Sequence, residues 1–265
     1  MGLKKLIFVL CAFICYAGAS EIAPLIVNGT DATIEEFPFL ASLRFNNSHT
    51  CGSTIINEIW ILTAAHCVVG RIGKTDLFSV HVESKYLYPS NPNVVFAETI
   101  YPHQGYNASN QYINDIALIK LKEPLKIQLF DWKVKLAMRG AYYKTGTPAV
   151  LAGWGYNESG GVAQTTLQKV NLQIYTASDC DEIHNSKVHA SNICGGVEGG
   201  YQGQCSGDSG GPLLVRGVQV GIVSWSVKPC TVPPYPGVYA SVAHFTDWIE
   251  ETVGFNMGLN VFLSA

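Results

Sequence analysis

Charge is scarce in this chain of 265 residues. Asp, Glu, Lys and Arg make up only 14%, the formal net charge is -3, and no basic block occurs. Binding a polyanion needs clustered cations, so nucleic acid is not expected as a partner. Long apolar runs are also missing. The run over residues 6–17 has 12 residues, against about 20 for a helix that crosses a bilayer, and no later run qualifies as a span. Repeats and low-complexity tracts are absent, which excludes solenoids and arrays. No paired Cys/His spacing of the zinc type occurs, and the loop after Val69 lacks the carboxylates a calcium ion needs. No metal and no cofactor are therefore expected.

What is present begins with an export signal. Lys4 and Lys5 precede the short apolar run, and Ala17-Gly18-Ala19 is a small-residue cleavage site. Residues 1–19 read as a signal peptide, and the mature protein as secreted and soluble, outside any membrane. Eight cysteines occur, of which Cys11 and Cys15 fall in that segment. The remaining six are an even number suited to an oxidising compartment, and by sequence alone they allow 15 pairings. Four glycosylation sequons, at Asn28, Asn46, Asn107 and Asn157, sit in polar, loop-like stretches.

Strand signals dominate the mature chain. Phe39, Ala41, Leu43 and Phe45 alternate with Leu40, Ser42 and Arg44, a period of two. Further β-type runs cover residues 53–56, 78–82, 94–100 and 116–121. After a polar bridge near 133–146, a second set covers 149–154, 167–174, 212–215, 219–225 and 237–242. Short strands separated by Gly, Pro and Asn turns predict an all-β fold, and two such sets predict two barrels. Helix signal is limited to a short segment at 179–186, capped by Ser178 or Asp179, and a terminal helix. In the latter Val242, Phe245, Trp248, Ile249 and Val253 recur at helical spacing.

Three short strings carry chemistry. Thr63-Ala64-Ala65-His66-Cys67 offers a base, Asn114-Asp115-Ile116-Ala117-Leu118 a carboxylate, and Gly207-Asp208-Ser209-Gly210-Gly211-Pro212 a nucleophile. A serine hydroxyl is a poor nucleophile at neutral pH. It needs an adjacent base to take its proton, and the base needs a third group to fix its tautomer. His49, His81, His103, His184, His189 and His244 lie in no such context and read as solvated or structural. The three strings, in this order, resemble the chymotrypsin-like (trypsin-family) serine proteases, and the likeness covers about residues 26–253.

The resemblance implies two six-stranded antiparallel barrels and a C-terminal helix. The site would lie in the cleft between a first barrel at about 26–135 and a second at about 136–242. The helix would occupy 243–254 of a protease domain at 26–255, with a tail at 256–265. It implies catalytic His66, Asp115 and Ser209, an oxyanion hole from the N–H groups of Gly207 and Ser209, and disulfides Cys51–Cys67, Cys180–Cys194 and Cys205–Cys230. Ile26-Val27-Asn28-Gly29 resembles the mature start. A propeptide at 20–25 would be removed and the new Ile26 amine would pair with Asp208. Leu25 stands where a basic residue is usual, so activation by cleavage after an apolar residue is expected, this enzyme itself being one that would suit. The floor of the specificity pocket maps to Gly203 and its walls to Ser226 and Gly237. Members that cut after Arg or Lys carry Asp at the floor. A roomy, uncharged pocket is expected here, favouring aromatic or large aliphatic residues. Ser226 replaces the usual Gly and narrows the mouth, which leaves a preference for Leu or small residues open. Lys228 at the rim reads as solvated. Ser224-Trp225-Ser226 would pair with the substrate backbone, and Tyr112 and Trp225 would shape neighbouring subsites. The expected function is a secreted, monomeric serine endopeptidase acting on proteins or peptides and met by protein protease inhibitors. The rivals are an elastase-like or broad-specificity protease, and a silent homologue acting as a binding protein or toxin. Against the last stands the complete triad.

Overall fold

The computed structural model describes residues 26–254. The expected signal peptide, the propeptide and the tail fall outside those residues. Among the described residues, fourteen strands follow in chain order: β1 Thr30–Asp31, β2 Leu40–Phe45, β3 Ser48–Ile55, β4 Trp60–Thr63, β5 Phe78–Val82, β6 Asn93–Pro102, β7 Ala117–Leu121, β8 Lys135–Leu136, β9 Pro148–Gly153, β10 Gln168–Tyr175, β11 Asn192–Gly196, β12 Pro212–Val215, β13 Val218–Trp225 and β14 Gly237–Ser241. Two α-helices, α1 Ala177–Ile183 and α2 Val242–Val253, accompany them.

Both expected barrels are closed. The first runs β2-β3-β4-β7-β6-β5 and back to β2, with Ser42 opposite His81 at the closing seam. The second runs β9-β10-β11-β14-β13-β12 and back to β9, where Leu213 meets Leu151. Alternation aims side chains inward: in β10, Gln168, Val170, Leu172 and Ile174 are buried while Asn171 and Gln173 face solvent. The turn between β2 and β3 is made by Asn46 and Asn47, with φ of 50° and 62°. A two-residue hairpin needs this left-handed backbone, and asparagine accepts it more readily than most residues. One apolar cluster runs through both barrels, burying the faces that neither barrel could hide alone.

Several elements differ from the sequence reading. β1, expected with the first barrel, pairs with β10 of the second, Thr30 opposite Lys169. The first barrel therefore begins at β2. β8 lies at the expected boundary and pairs in parallel with β13. β4 and β11 have no counterpart among the expected strands. The short helix α1 begins earlier than expected because Thr176, not Ser178 or Asp179, is its cap: Thr176 Oγ1 accepts the Asp179 N–H at 3.2 Å. α2 lies where expected, burying Val242, Phe245 and Ile249. It ends at Gly254, whose φ of 77° suits a glycine.

The disulfides are Cys51–Cys67, Cys180–Cys194 and Cys205–Cys230, the pairs the resemblance implies. They close loops of 16, 14 and 25 residues in sequence separation, each stabilising the fold by about 3 kcal/mol through the unfolded chain.

Candidate active site

The first barrel presents two of the expected residues side by side. β4 ends at Thr63, and a single 3-10 turn, Ala65–Cys67, follows with Cys67 tied back to Cys51 of β3. That turn holds His66. Asp115 lies two residues before β7, which pairs with β4, Thr63 opposite Ala117. Adjacent strand ends therefore carry the two side chains to one place. His66 Nδ1 is 2.7 Å from Asp115 Oδ2, and the His66 backbone N–H donates to Asp115 Oδ1 at 2.9 Å. Ser224 of the second barrel donates its hydroxyl to Asp115 Oδ2 at 2.5 Å. Asp115 is fully buried, and these three donors replace the hydrogen bonds that burial takes from its carboxyl oxygens. With Nδ1–H donated to Asp115, the free electron pair of the neutral ring sits on Nε2.

Ser209 lies on the loop between Cys205 and β12. That loop is fastened to both barrels. Gly52 N–H donates to the Ser209 carbonyl at 2.8 Å, and Gly210 N–H donates to the Val223 carbonyl at 2.8 Å. Gly210 has φ of 78°, and a Cβ there would run into Gly52 O and Thr63 Oγ1. Only glycine lets the loop press this closely on the first barrel. Among the described residues no hydrogen bond joins Ser209 Oγ to His66, whose Nε2 lies 3.8 Å from Cys67 Sγ.

Gly207 has φ of 93°, another left-handed position. Its carbonyl accepts from His49 Nε2 at 3.1 Å, while His49 Nδ1 takes the Ser42 hydroxyl at 2.9 Å. Burial drives the His49 pKa down to about 4, so the ring is neutral and spans Ser42 and Gly207. His49 carries no motif, and by sequence it falls among the structural histidines. Its link to the Ser209 loop crosses 158 positions and shows only in three dimensions.

Asp208 is buried. Its Oδ1 accepts from Gly155 N–H at 2.8 Å and its Oδ2 from Cys205 N–H at 3.0 Å. Burial raises the carboxyl to about 7, against the opposing pull of those two donors and of Lys228. A Cβ on Gly155 would collide with this carboxylate. Ile26 is also fully buried, and its neighbour Val27 bridges to Gly203, whose N–H donates to Val27 O at 3.3 Å. In the intact chain the Ile26 nitrogen is a peptide nitrogen, and the Asp208 oxygens are held by backbone donors instead.

Gly203, Ser226 and Gly237 line one cavity, as mapped, but it is not roomy. Gln204 fills it. This side chain is only 3% exposed and donates Nε2–H to the Trp225 carbonyl at 2.7 Å. The free space left is about 10 Å³, roughly one water molecule's worth by that measure. In the intact chain the cavity is thus much smaller than the roomy pocket expected from the sequence. Sequence spacing brings Gly203, Ser226 and Gly237 to one cavity and passes over Gln204; a long polar side chain between Gly203 and Cys205 is the available signal.

Residues 26–249 match the family model described as Trypsin. The chain belongs to the trypsin family. Kallikrein-7 of Homo sapiens is 32% identical over 238 residues, which cover 89% of this chain and 90% of that protein. Trypsin alpha of Drosophila melanogaster is 35% identical over 260 residues, 94% of this chain and 98% of the relative. Trypsin alpha-4 of Lucilia cuprina is 35% identical over 255 residues, 92% and 96% of the two. Family and relatives make this chain a serine endopeptidase.

Within this trypsin-family site, Tyr112 stands edge-on to the His66 ring at 5.9 Å between centroids, bordering the expected base. Trp225 packs edge-on against His184 at 5.1 Å. Lys228 stays exposed at the rim, its Nζ 3.4 Å from Ser206 Oγ. Among the described residues, Cys51, His66 and Cys67 bring ligand-type atoms together. Both sulfurs belong to a disulfide, and it is the thiolate that binds metals.

Proposed function

We propose that this trypsin-family endopeptidase is secreted and cuts peptide bonds with Ser209 as nucleophile, His66 as general base and Asp115 as the group that orients it. The observation that carries the reading is the Asp115 carboxylate: fully buried, yet given three donors, two from His66 and one from Ser224. That arrangement fixes the His66 tautomer and stabilises the imidazolium that forms when Nε2 takes the Ser209 proton. The proton then passes to the leaving amine, and water repeats the cycle on the acyl-enzyme. Backbone N–H groups of Gly207 and Ser209 receive the developing oxyanion, each donor being worth roughly 3 kcal/mol in such a hole. The hydrogen bond between Ser209 Oγ and His66 Nε2 forms when substrate binds, as apo sites commonly require.

Activation follows from the burial of Asp208. A carboxyl raised to about 7 by burial calls for a cation, and cleavage after Leu25 supplies one in the Ile26 amine. Secretion rests on the signal-like residues 1–19 and the three disulfides. No helix among the described residues is long and apolar enough to cross a membrane. The partners are proteins or peptides as substrates and protein inhibitors that occupy the same cleft, and the enzyme acts as a monomer. Gly203 at the pocket floor provides no charge for an Arg or Lys side chain, and an unpaired buried cation is costly. The test is Ser209→Ala in the cleaved enzyme, expected to lose turnover on the order of a million-fold with the fold retained.

A further inference from the structure

The filled pocket has consequences for what the enzyme cuts. Gln204 follows the floor residue Gly203 and precedes Cys205, whose disulfide to Cys230 ties this segment to the one after β13. Its side chain lines the cavity and donates to the Trp225 carbonyl, next to the lining residue Ser226. The opposite wall is shaped to receive it. A Cβ on Gly237 would lie 2.7 Å from Gln204 Cδ and 3.0 Å from its Nε2. Any larger residue at 237 would expel the amide, and glycine lets it lie flat against the wall. Gln204 Oε1 is buried and has no hydrogen-bond partner among the described residues, which points to a donor arriving from elsewhere.

We propose that Gln204 sets the primary specificity, closing the pocket so that it takes short uncharged side chains such as Ala, Ser, Thr or Val and excludes aromatic ones. This rests on the reading of Ser209 as the nucleophile. An aromatic side chain is several times the size of a water molecule, and the pocket offers about 10 Å³, roughly one water's worth. Admitting the ring means withdrawing the amide, which strands the Trp225 carbonyl without its donor and moves a polar group out of a shaped slot. A short side chain needs no such displacement. A short side chain with a hydroxyl, Ser or Thr, also supplies a donor for Oε1.

The experiment is a series of peptides that differ only before the scissile bond, with Ala, Ser, Val, Leu, Phe and Arg there. They are assayed on the full chain after activation and on Gln204→Ser and Gln204→Ala. Reaction with diisopropyl fluorophosphate counts competent serines in each preparation, independently of the pocket. Ala, Ser or Val is expected to exceed Phe in kcat/KM by at least ~10-fold in the wild type, the scale on which pockets discriminate by one methylene or more. In either variant the Phe:Ala ratio is expected to rise by at least ~10-fold. A reactive serine together with Phe preferred by the wild type, or with a Phe:Ala ratio unmoved by both substitutions, overturns the proposal alone. No reactive serine in the cleaved wild type overturns the assignment of Ser209 and the proposal with it.

Discussion

Before cleavage, Asp208 should make the protein less stable as pH rises. The perturbation is Asp208→Asn in an intact chain from residue 20 onward, in a Ser209→Ala background that cannot cut itself. Burial raises the Asp208 carboxyl from 3.8 to about 7 in the folded chain. The folded state therefore binds a proton that the unfolded chain releases between those values, and stability falls across that window. Relative to the neutral amide, the effect is nil below about 3.8 and complete above about 7, and it reaches roughly 4 kcal/mol at most. Other groups bias the raw curve the opposite way. Glu36 and Glu58 are lowered by hydrogen bonds to Lys169 and Lys133, and His49 and His81 are pushed down to about 4 by burial. All four favour the folded state as pH rises. The informative quantity is the difference between the parent chain and its Asp208→Asn variant, read from urea unfolding midpoints at several pH values from about 4 to about 8 with disulfides intact. It should move in favour of the asparagine variant by up to a few kcal/mol. After cleavage behind Leu25 the Ile26 amine joins the carboxylate, and the trend should reverse. A difference that stays flat in the intact chain, or one identical before and after cleavage, would refute the reasoning.

Two further outcomes follow from the same site. Asp115→Asn should keep the fold and lower kcat by ~10⁴-fold, because the amide no longer holds His66 in the productive tautomer; steady-state kinetics with a circular-dichroism control checks it. Active enzyme should begin at Ile26, as read by amino-terminal sequencing, and full activity with any other start would rule out pairing of that amine with Asp208.

Much of this was legible in the chain because the chemistry is local. The His66, Asp115 and Ser209 strings each sit in a short context; alternation in 94–100 marks a strand with one face buried, and that in 39–45 marks β2 although Ser42 and Arg44 are buried as well. What escaped was what needs the third dimension. Trp60–Thr63 is buried along its whole length, so it has no alternation to read. Asn192–Gly196 opens on Asn and ends on two Gly, residues of low β-propensity, and it forms because Ile193 and Cys194 pair with Tyr239 and Val238. The cap of α1 lies at Thr176 because its hydroxyl reaches the Asp179 amide, a contact that residue type alone does not distinguish from a cap at Ser178 or Asp179. Gln204 was missed because spacing locates backbone positions, and the volume a side chain fills depends on Gly237, 33 residues away. His49 was missed for the same reason, since its partner Gly207 belongs to the other barrel's loop.

Peptide hydrolysis by the cleaved Ser209→Ala protein, compared with cleaved wild type, tests the central claim most directly. Amino-terminal sequencing should confirm Ile26 as the start of both, and matching unfolding midpoints should confirm the fold. The account predicts that turnover disappears to within the residual level left by binding and the oxyanion hole, on the order of a million-fold below wild type. Turnover within about ten-fold of wild type, in a folded and correctly cleaved variant, would contradict it.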